Sequence, residues 1–331
     1  MARCGTREHA AARRGRAAAV VLALAGSRDS AEKAEPAPPR SAASPMVAAS
    51  ATRALPVASA ERDRRASSLR LVDAGTAPRR RLRYRLDRCK STKVELISQG
   101  RTLLELAGRA QTFEHPAGRM LLSVEPQGRA TETELGLVWT VEESNAASSS
   151  QPPAAGLLGQ VPRAGVGVRA EGRISDRGMV REAKLVSPLP MAAAAPGMPE
   201  FLTVLPAEEV GLGAVWEVEG PHELLGVPGR VKAVYRVVRI GSDQVTFGIT
   251  LESHAPPQAV PARYLQSGSH MDFLSLSGSG SGEAIVHLDR VVSEITETAR
   301  ADFRARMTVG GRQEEANGKV LMTMRVHVVG R

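Results

Sequence analysis

The sequence predicts a mainly β protein: antiparallel meanders in two related halves, forming a barrel-like or half-barrel domain behind a disordered N-terminal tether. Three observations lead there. Apolar residues recur at every second position over long stretches separated by Gly, Ser and Asp turns. A weak internal duplication divides the folded part in two. Before residue 67 the chain carries almost no large apolar residues beyond one short run.

That run comes first in the chain. Arg13, Arg14 and Arg16 precede an uncharged stretch of nine residues, Ala17 to Ala25, and Ala23-Leu24-Ala25 supplies the small-x-small pattern of a leader peptidase site. The run is too short for a membrane helix, which needs ~20 apolar residues. Residues 1–25 therefore read as a signal peptide cleaved between Ala25 and Gly26, and a secreted or periplasmic, envelope-associated protein is expected. Leu24-Ala25-Gly26 also resembles the lipobox of bacterial lipoproteins, but Ser27 stands where that motif has cysteine. A serine hydroxyl is a far weaker nucleophile than a thiolate, so no lipid anchor is expected and the protein is peripheral to the membrane at most. An alternative start at Met46 would remove the leader and give a cytoplasmic chain, for which nucleic-acid binding is the alternative role. Of two cysteines, Cys4 lies in the leader, leaving Cys89 alone and excluding an internal disulfide or cysteine metal site.

Residues 26–66, rich in Ala, Pro, Ser and Arg, read as the disordered tether. The formal charge of +9 is unevenly spread: residues 1–39 carry +3, residues 40–93 carry +10 and the remainder −4. With aromatic residues at 3%, stacking platforms for bases are lacking, and nucleic acid is not an expected partner. The densest basic run, Arg79 to Arg88 (RRRLRYRLDR), reads as a strand with Arg79, Arg81, Arg83 and Arg85 on one face and Leu82, Tyr84 and Leu86 on the other. The basic face is either simply solvated or a contact for anionic headgroups.

The first β half spans 67–187, a linker 188–198 and the second half 199–331. Val231, Ala233, Tyr235 and Val237, a turn at Gly241-Ser242-Asp243, then Val245, Phe247, Ile249 and Leu251 form a hairpin signal. Near the C-terminus Ala299 to Val309 alternates, GGRQEEANGK reads as the turn, and Val320 to Val328 returns. Val292, Ile295, Ala299, Phe303 and Met307 also fit helical spacing, but the alternation is longer and predicts strand. In the duplication, a Tyr-bearing hairpin is followed in each half by an Asp-Arg turn, at Asp176-Arg177 and Asp289-Arg290.

Phe201 to Gly220 (FLTVLPAEEVGLGAVWEVEG), with EGRISDRGMVREAKLVSP and GSGSGEAIVHLDRVVSEI, resembles an uncharacterised family of bacterial exported, often lipoprotein-type, β domains. The resemblance covers roughly Leu69 to Val329. It implies an envelope-associated β domain with no assigned activity.

Catalytic patterns are weak. SGSGSGE (Ser277 to Glu283) never gives Gly-x-Ser-x-Gly and reads as a flexible loop or a bulge at a strand start. GVGVRA (Gly165 to Ala170) lacks the strand and helix of a dinucleotide site. No cofactor is expected. His115-Pro116-Ala117-Gly118 reads as a turn, and Pro221-His222-Glu223 as a loop. His270 with Asp272 and His287 with Asp289 would share strand faces, and a hydrolase or metal site would require all four to converge. Without that convergence the protein is not an enzyme but a binding or scaffold module. Trp139, Trp216, Tyr235 and Phe247 are the large rings, either strand core or the lining of an apolar pocket for a lipid or another envelope component.

Overall fold

Every second side chain is apolar, and the segments satisfy that pattern by pairing edge to edge. The computed structural model of the protein describes residues 68–145, 166–186, 202–261, 265, 270–309 and 312–329. In chain order the strands are β1 (Ser68–Asp73), β2 (Thr76–Arg81), β3 (Thr92–Leu106), β4 (Arg109–Thr131), β5 (Glu134–Asn145), β6 (Arg169–Ser175), β7 (Val180–Leu185) and β8 (Glu209–Leu212). They continue with β9 (Val215–Leu224), β10 (Val227–Ile240), β11 (Gln244–Ala255), β12 (Gln258–Ala259), β13 (His270–His287), β14 (Ser293–Val309) and β15 (Arg312–Val329). No helix occurs among the described residues, and the segment with two readings is strand β14. The leader, the Ala25–Gly26 junction, the tether and the linker lie outside the described residues.

The main sheet runs β1-β9-β10-β11-β13-β14-β15-β3-β4-β5-β6-β7, with β12 added to β13 and β2-β8 forming a separate pair. All neighbours are antiparallel. The last strand, β15, pairs with β3 over most of its length, from Ala316↔Leu106 to Val329↔Lys93. The two sequence halves thus share one sheet. Its end strands β1 and β7 do not pair with each other, so the architecture is an open half-barrel. Both edges are blunted: β1 is short and bulged, and β7 carries exposed Arg181, Glu182 and Lys184 beside a bulge.

Several local expectations are corrected. GGRQEEANGK is not a long turn, because β15 already begins at Arg312, and Gly318 lies under the Phe303 ring, where a Cβ would not fit. SGSGSGE is not a loop or a strand start but the interior of β13. His115 to Gly118 is not a turn: it lies within β4, opposite a register shift at Ser98/Gly100. Pro221 to Glu223 is part of β9. The tight turns fall instead at Ala107-Gly108 and Leu225-Gly226, where both residues take positive φ (50° and 71°, 49° and 81°). Such two-residue turns match the twist of the strands they join.

The basic run departs most. Strand β2 ends at Arg81, and Leu82 to Arg85 continue as an extended strap outside any ladder. Tyr84 is therefore not part of a hairpin equivalent to that of Tyr235. The alternation survives: Leu82, Tyr84 and Leu86 are buried. Arg80, Arg83 and Arg85 are bound to the protein itself, while Arg79 and Arg81 stay exposed, Arg79 donating to the Gly75 carbonyl and Arg81 lying 3.9 Å from Glu209. Arg83 donates to the carbonyls of Pro206 (2.9 Å) and Ala207 (2.8 Å) and lies 3.4 Å from Asp176. Arg80 donates to the Gly241 carbonyl, and Arg85 pairs with Asp243. Burial lowers the Arg83 pKa while the Asp176 charge opposes that.

The core occupies one face of the sheet in two clusters. The upper cluster gathers Trp216, Phe247, Trp139 and Ile174 around Leu82, Tyr84, Leu86 and Leu205. The lower gathers Phe273, Phe303, Met271, Leu276 and Val260.

Candidate functional site

Both ends of the concave face are covered by the chain's own connections. At the upper end the strap is anchored by its backbone, with Tyr84 N–H donating to Asp176 O (2.7 Å) and Arg85 N–H to Leu288 O (2.5 Å). The Tyr84 hydroxyl donates to Thr203 O (3.1 Å), and Thr203 Oγ lies 3.2 Å from Ser293 Oγ. Burial pushes the Tyr84 phenol well above its ordinary range, so it stays a neutral donor. Cys89 packs at the margin of this cluster, and burial, helped by Asp289 and Asp87, pushes its thiol up to about 11. At the lower end Val260 is buried and donates its N–H to Met271 O (2.8 Å), and Leu265 packs on the lower cluster.

Between these covers runs a row of directly opposed residues. The pairs Leu69↔Val218, Val218↔Ala233, Ala233↔Leu251 and Leu251↔Gly280 continue through Gly280↔Ala299, Ala299↔Met322, Met322↔Gly100 and Gly100↔His115. Apart from buried Ala233, all are half-buried. From β9 to β3 the row crosses seven strands, an arc of roughly 30 Å at the usual strand spacing. Its glycines sit where the neighbouring backbone comes close. A Cβ on Gly280 would lie 3.2 Å from Thr298 O, and one on Gly100 only 2.5 Å from Leu321 O.

Electrostatically the row is quiet. Its one titratable member is His115 at the far end, whose Nε2 lies 2.7 Å from Thr102 Oγ. Burial lowers the His115 pKa, and nearby Glu114 opposes that. Glu297 lies one position above the row, opposite Gly282 and Met324. The clustered ion pairs, such as Arg70–Glu217–Lys232 and Arg119 between Glu95 and Glu143, involve strand positions of the opposite phase, on the outer face.

The residues singled out by sequence divide into two groups. Trp216, Tyr235 and Phe247 meet as a packed triad. Trp216 stacks on Tyr235 at 5.6 Å, and Phe247 meets both edge-on at 5.1 and 6.5 Å. The Trp216 indole donates to Val204 O (3.0 Å). Trp139 belongs to the same cluster, with its ring against Gly172. Trp216 and Phe247 are fully buried, whereas half-buried Tyr235 stands directly above Ala233, at the margin of the row. The four His/Asp residues are not brought together. His270 pairs with Asp272 (3.0 Å), and His287 pairs with Glu294 (3.2 Å) rather than with Asp289, which lies in the β13–β14 turn. Asp272 and His287 sit near opposite ends of β13, up to roughly 50 Å apart at the rise of an extended strand. Among the described residues no group of three or more His, Cys, Asp or Glu could hold a metal ion. Leu251, Gly280, Ala299 and Met322, the half-buried centre of the row, read from sequence only as strand or glycine-run positions and not as site residues. Their signal was the alternation phase they share with buried Ile249, Ala284, Phe303 and Val326.

No protein-family model matches the chain, and no curated protein matches it.

Proposed function

We propose that the protein is an exported module of the cell envelope that encloses an apolar, lipid-like ligand on the concave face of its half-barrel without catalysing a reaction. The observation that carries the reading is the half-buried apolar row that lies beside the two buried clusters on one face of the sheet. A partly buried apolar row on one face of an open sheet is a candidate surface for an apolar ligand. The leader pattern of Arg13 to Ala25 supports export, and the resemblance to exported β domains supports an envelope location. The separation of His270/Asp272 from His287/Asp289 removes the geometric support for a hydrolase built on those four residues. No helix among the described residues is long and apolar enough to cross a membrane, which leaves strands unaddressed.

Native mass spectrometry of protein recovered from its own cells tests the binding reading, and N-terminal sequencing of the same sample tests export. A lipid-sized adduct and a mature start at Gly26 are expected. A start at Met46 or an intact leader would overturn export, and bare protein would overturn binding.

A further inference from the structure

We infer that Met322 and Met324 of β15, together with His115 of β4, bind one copper(I) ion on the concave face. The inference goes beyond the apolar-ligand reading and does not depend on it.

Register brings these residues together. Met322 stands directly opposite Gly100, and Gly100 directly opposite His115. Gly100 has no side chain, so nothing rises from β3 on the line between the thioether and the imidazole. With strands ~4.8 Å apart, the two Cα atoms are about 10 Å from each other. Two donors carried roughly 4 Å from their Cα atoms and joined through metal bonds of about 2 Å span that distance. Met324 follows two positions along the same strand, ~7 Å away on the same face. Among the ten methionines these are the only two separated by a single residue. Met322, Met324 and His115 are all half-buried, open to an entering ion yet partly shielded from competing water.

The donor chemistry selects the metal. Two neutral, polarizable thioethers with an imidazole form a soft set, which favours copper(I) over harder cations. Polar side chains gather round the methionines in the middle of a largely apolar face. Thr102 is fully buried, and its Oγ lies 2.7 Å from His115 Nε2. A ligating imidazole is commonly fixed in this way through its other nitrogen, which assigns Nδ1 to the metal. Ser98 and Glu297 stand directly opposite Met324 on either side. Glu297 shares the alternation phase of Ile295 and Ala299, so a carboxylate is set beside the cation on its own face.

The test is titration of the full chain carrying Cys4→Ser and Cys89→Ser, which removes competing thiols, with copper(I) buffered by bathocuproine disulfonate under argon. One equivalent should leave the buffer, and in protein labelled at the methionine methyl carbons the Met322 and Met324 resonances should shift. Met322→Leu and Met324→Leu nearly conserve volume. Each, like His115→Gln, is expected to weaken binding about tenfold. Met179→Leu, in the β6–β7 connection, should leave it unchanged. Circular dichroism confirms that each variant folds, and the methyl shifts locate the ion even where a variant does not. No copper taken from the buffer would overturn the inference. So would equal affinity in all variants, or shifts confined to other methionines. Equally tight zinc(II) binding, lost in the same variants, would overturn the thioether assignment.

Discussion

The face around Trp216 and the row through Gly280 share strands, yet among the described residues one is filled and the other only half-buried. Above, Leu82, Tyr84 and Leu86 descend into the sheet while their backbone bonds to turns at the strand ends. Along the row no segment among the described residues finds such anchors. The difference teaches that covering a concave sheet depends as much on backbone hydrogen-bond partners as on apolar side chains.

Substitutions can break or sharpen this contrast. The largest effect is expected for Trp216→Ala, which empties the aromatic triad and leaves Val204 O without its donor; about 4 kcal/mol should be lost in urea unfolding. A loss near zero would mean that the upper face is not filled as described. Next is Arg83→Met, which releases the strap from Pro206 and Ala207 and should cost about 1–2 kcal/mol by the same measurement. Ala299→Leu should change stability by no more than about 0.5 kcal/mol, since half-exposed positions have space to adapt. A loss of several kcal/mol there would show that the row is packed core and would erase the contrast.

The smallest effect depends on pH. Burial holds the His115 pKa below its unfolded value, so the folded state binds fewer protons than the unfolded one. His115 therefore removes stability as pH falls through about 6.5, the ordinary histidine value, toward its lower folded pKa. Urea midpoints of wild type and His115→Gln should diverge less in acid than at neutral pH, with wild type falling more steeply between them. Parallel curves would show that His115 is not held neutral at the end of the row.

Much of the fold was legible in the residues. The alternation of Val231 to Leu251 gave the β10–β11 hairpin, and that of Ala299 to Val309 correctly outweighed a competing helical spacing. The Asp176-Arg177 and Asp289-Arg290 turns were also readable. The turns at Ala107-Gly108 and Leu225-Gly226 were not, because neither contains the Asn or Asp that usually marks positive φ before glycine. The glycines of β13 looked like a loop because their reason for being there is the nearness of the neighbouring strand, which local sequence does not contain. The large rings attracted attention as pocket candidates, but size also made them the fillers of the core. The row is marked by smallness and phase, which stand out less.

By itself the sequence determined that these segments are strands and which face of each is apolar, because side chains two apart in an extended chain must point the same way. Only the tertiary structure decided that β15 pairs with β3, that an arginine-rich stretch becomes a strap against the core, and that one register row among the described residues stays half-buried. Those outcomes depend on pairings between residues far apart in the chain and on where turns place free carbonyls, neither of which local pattern specifies.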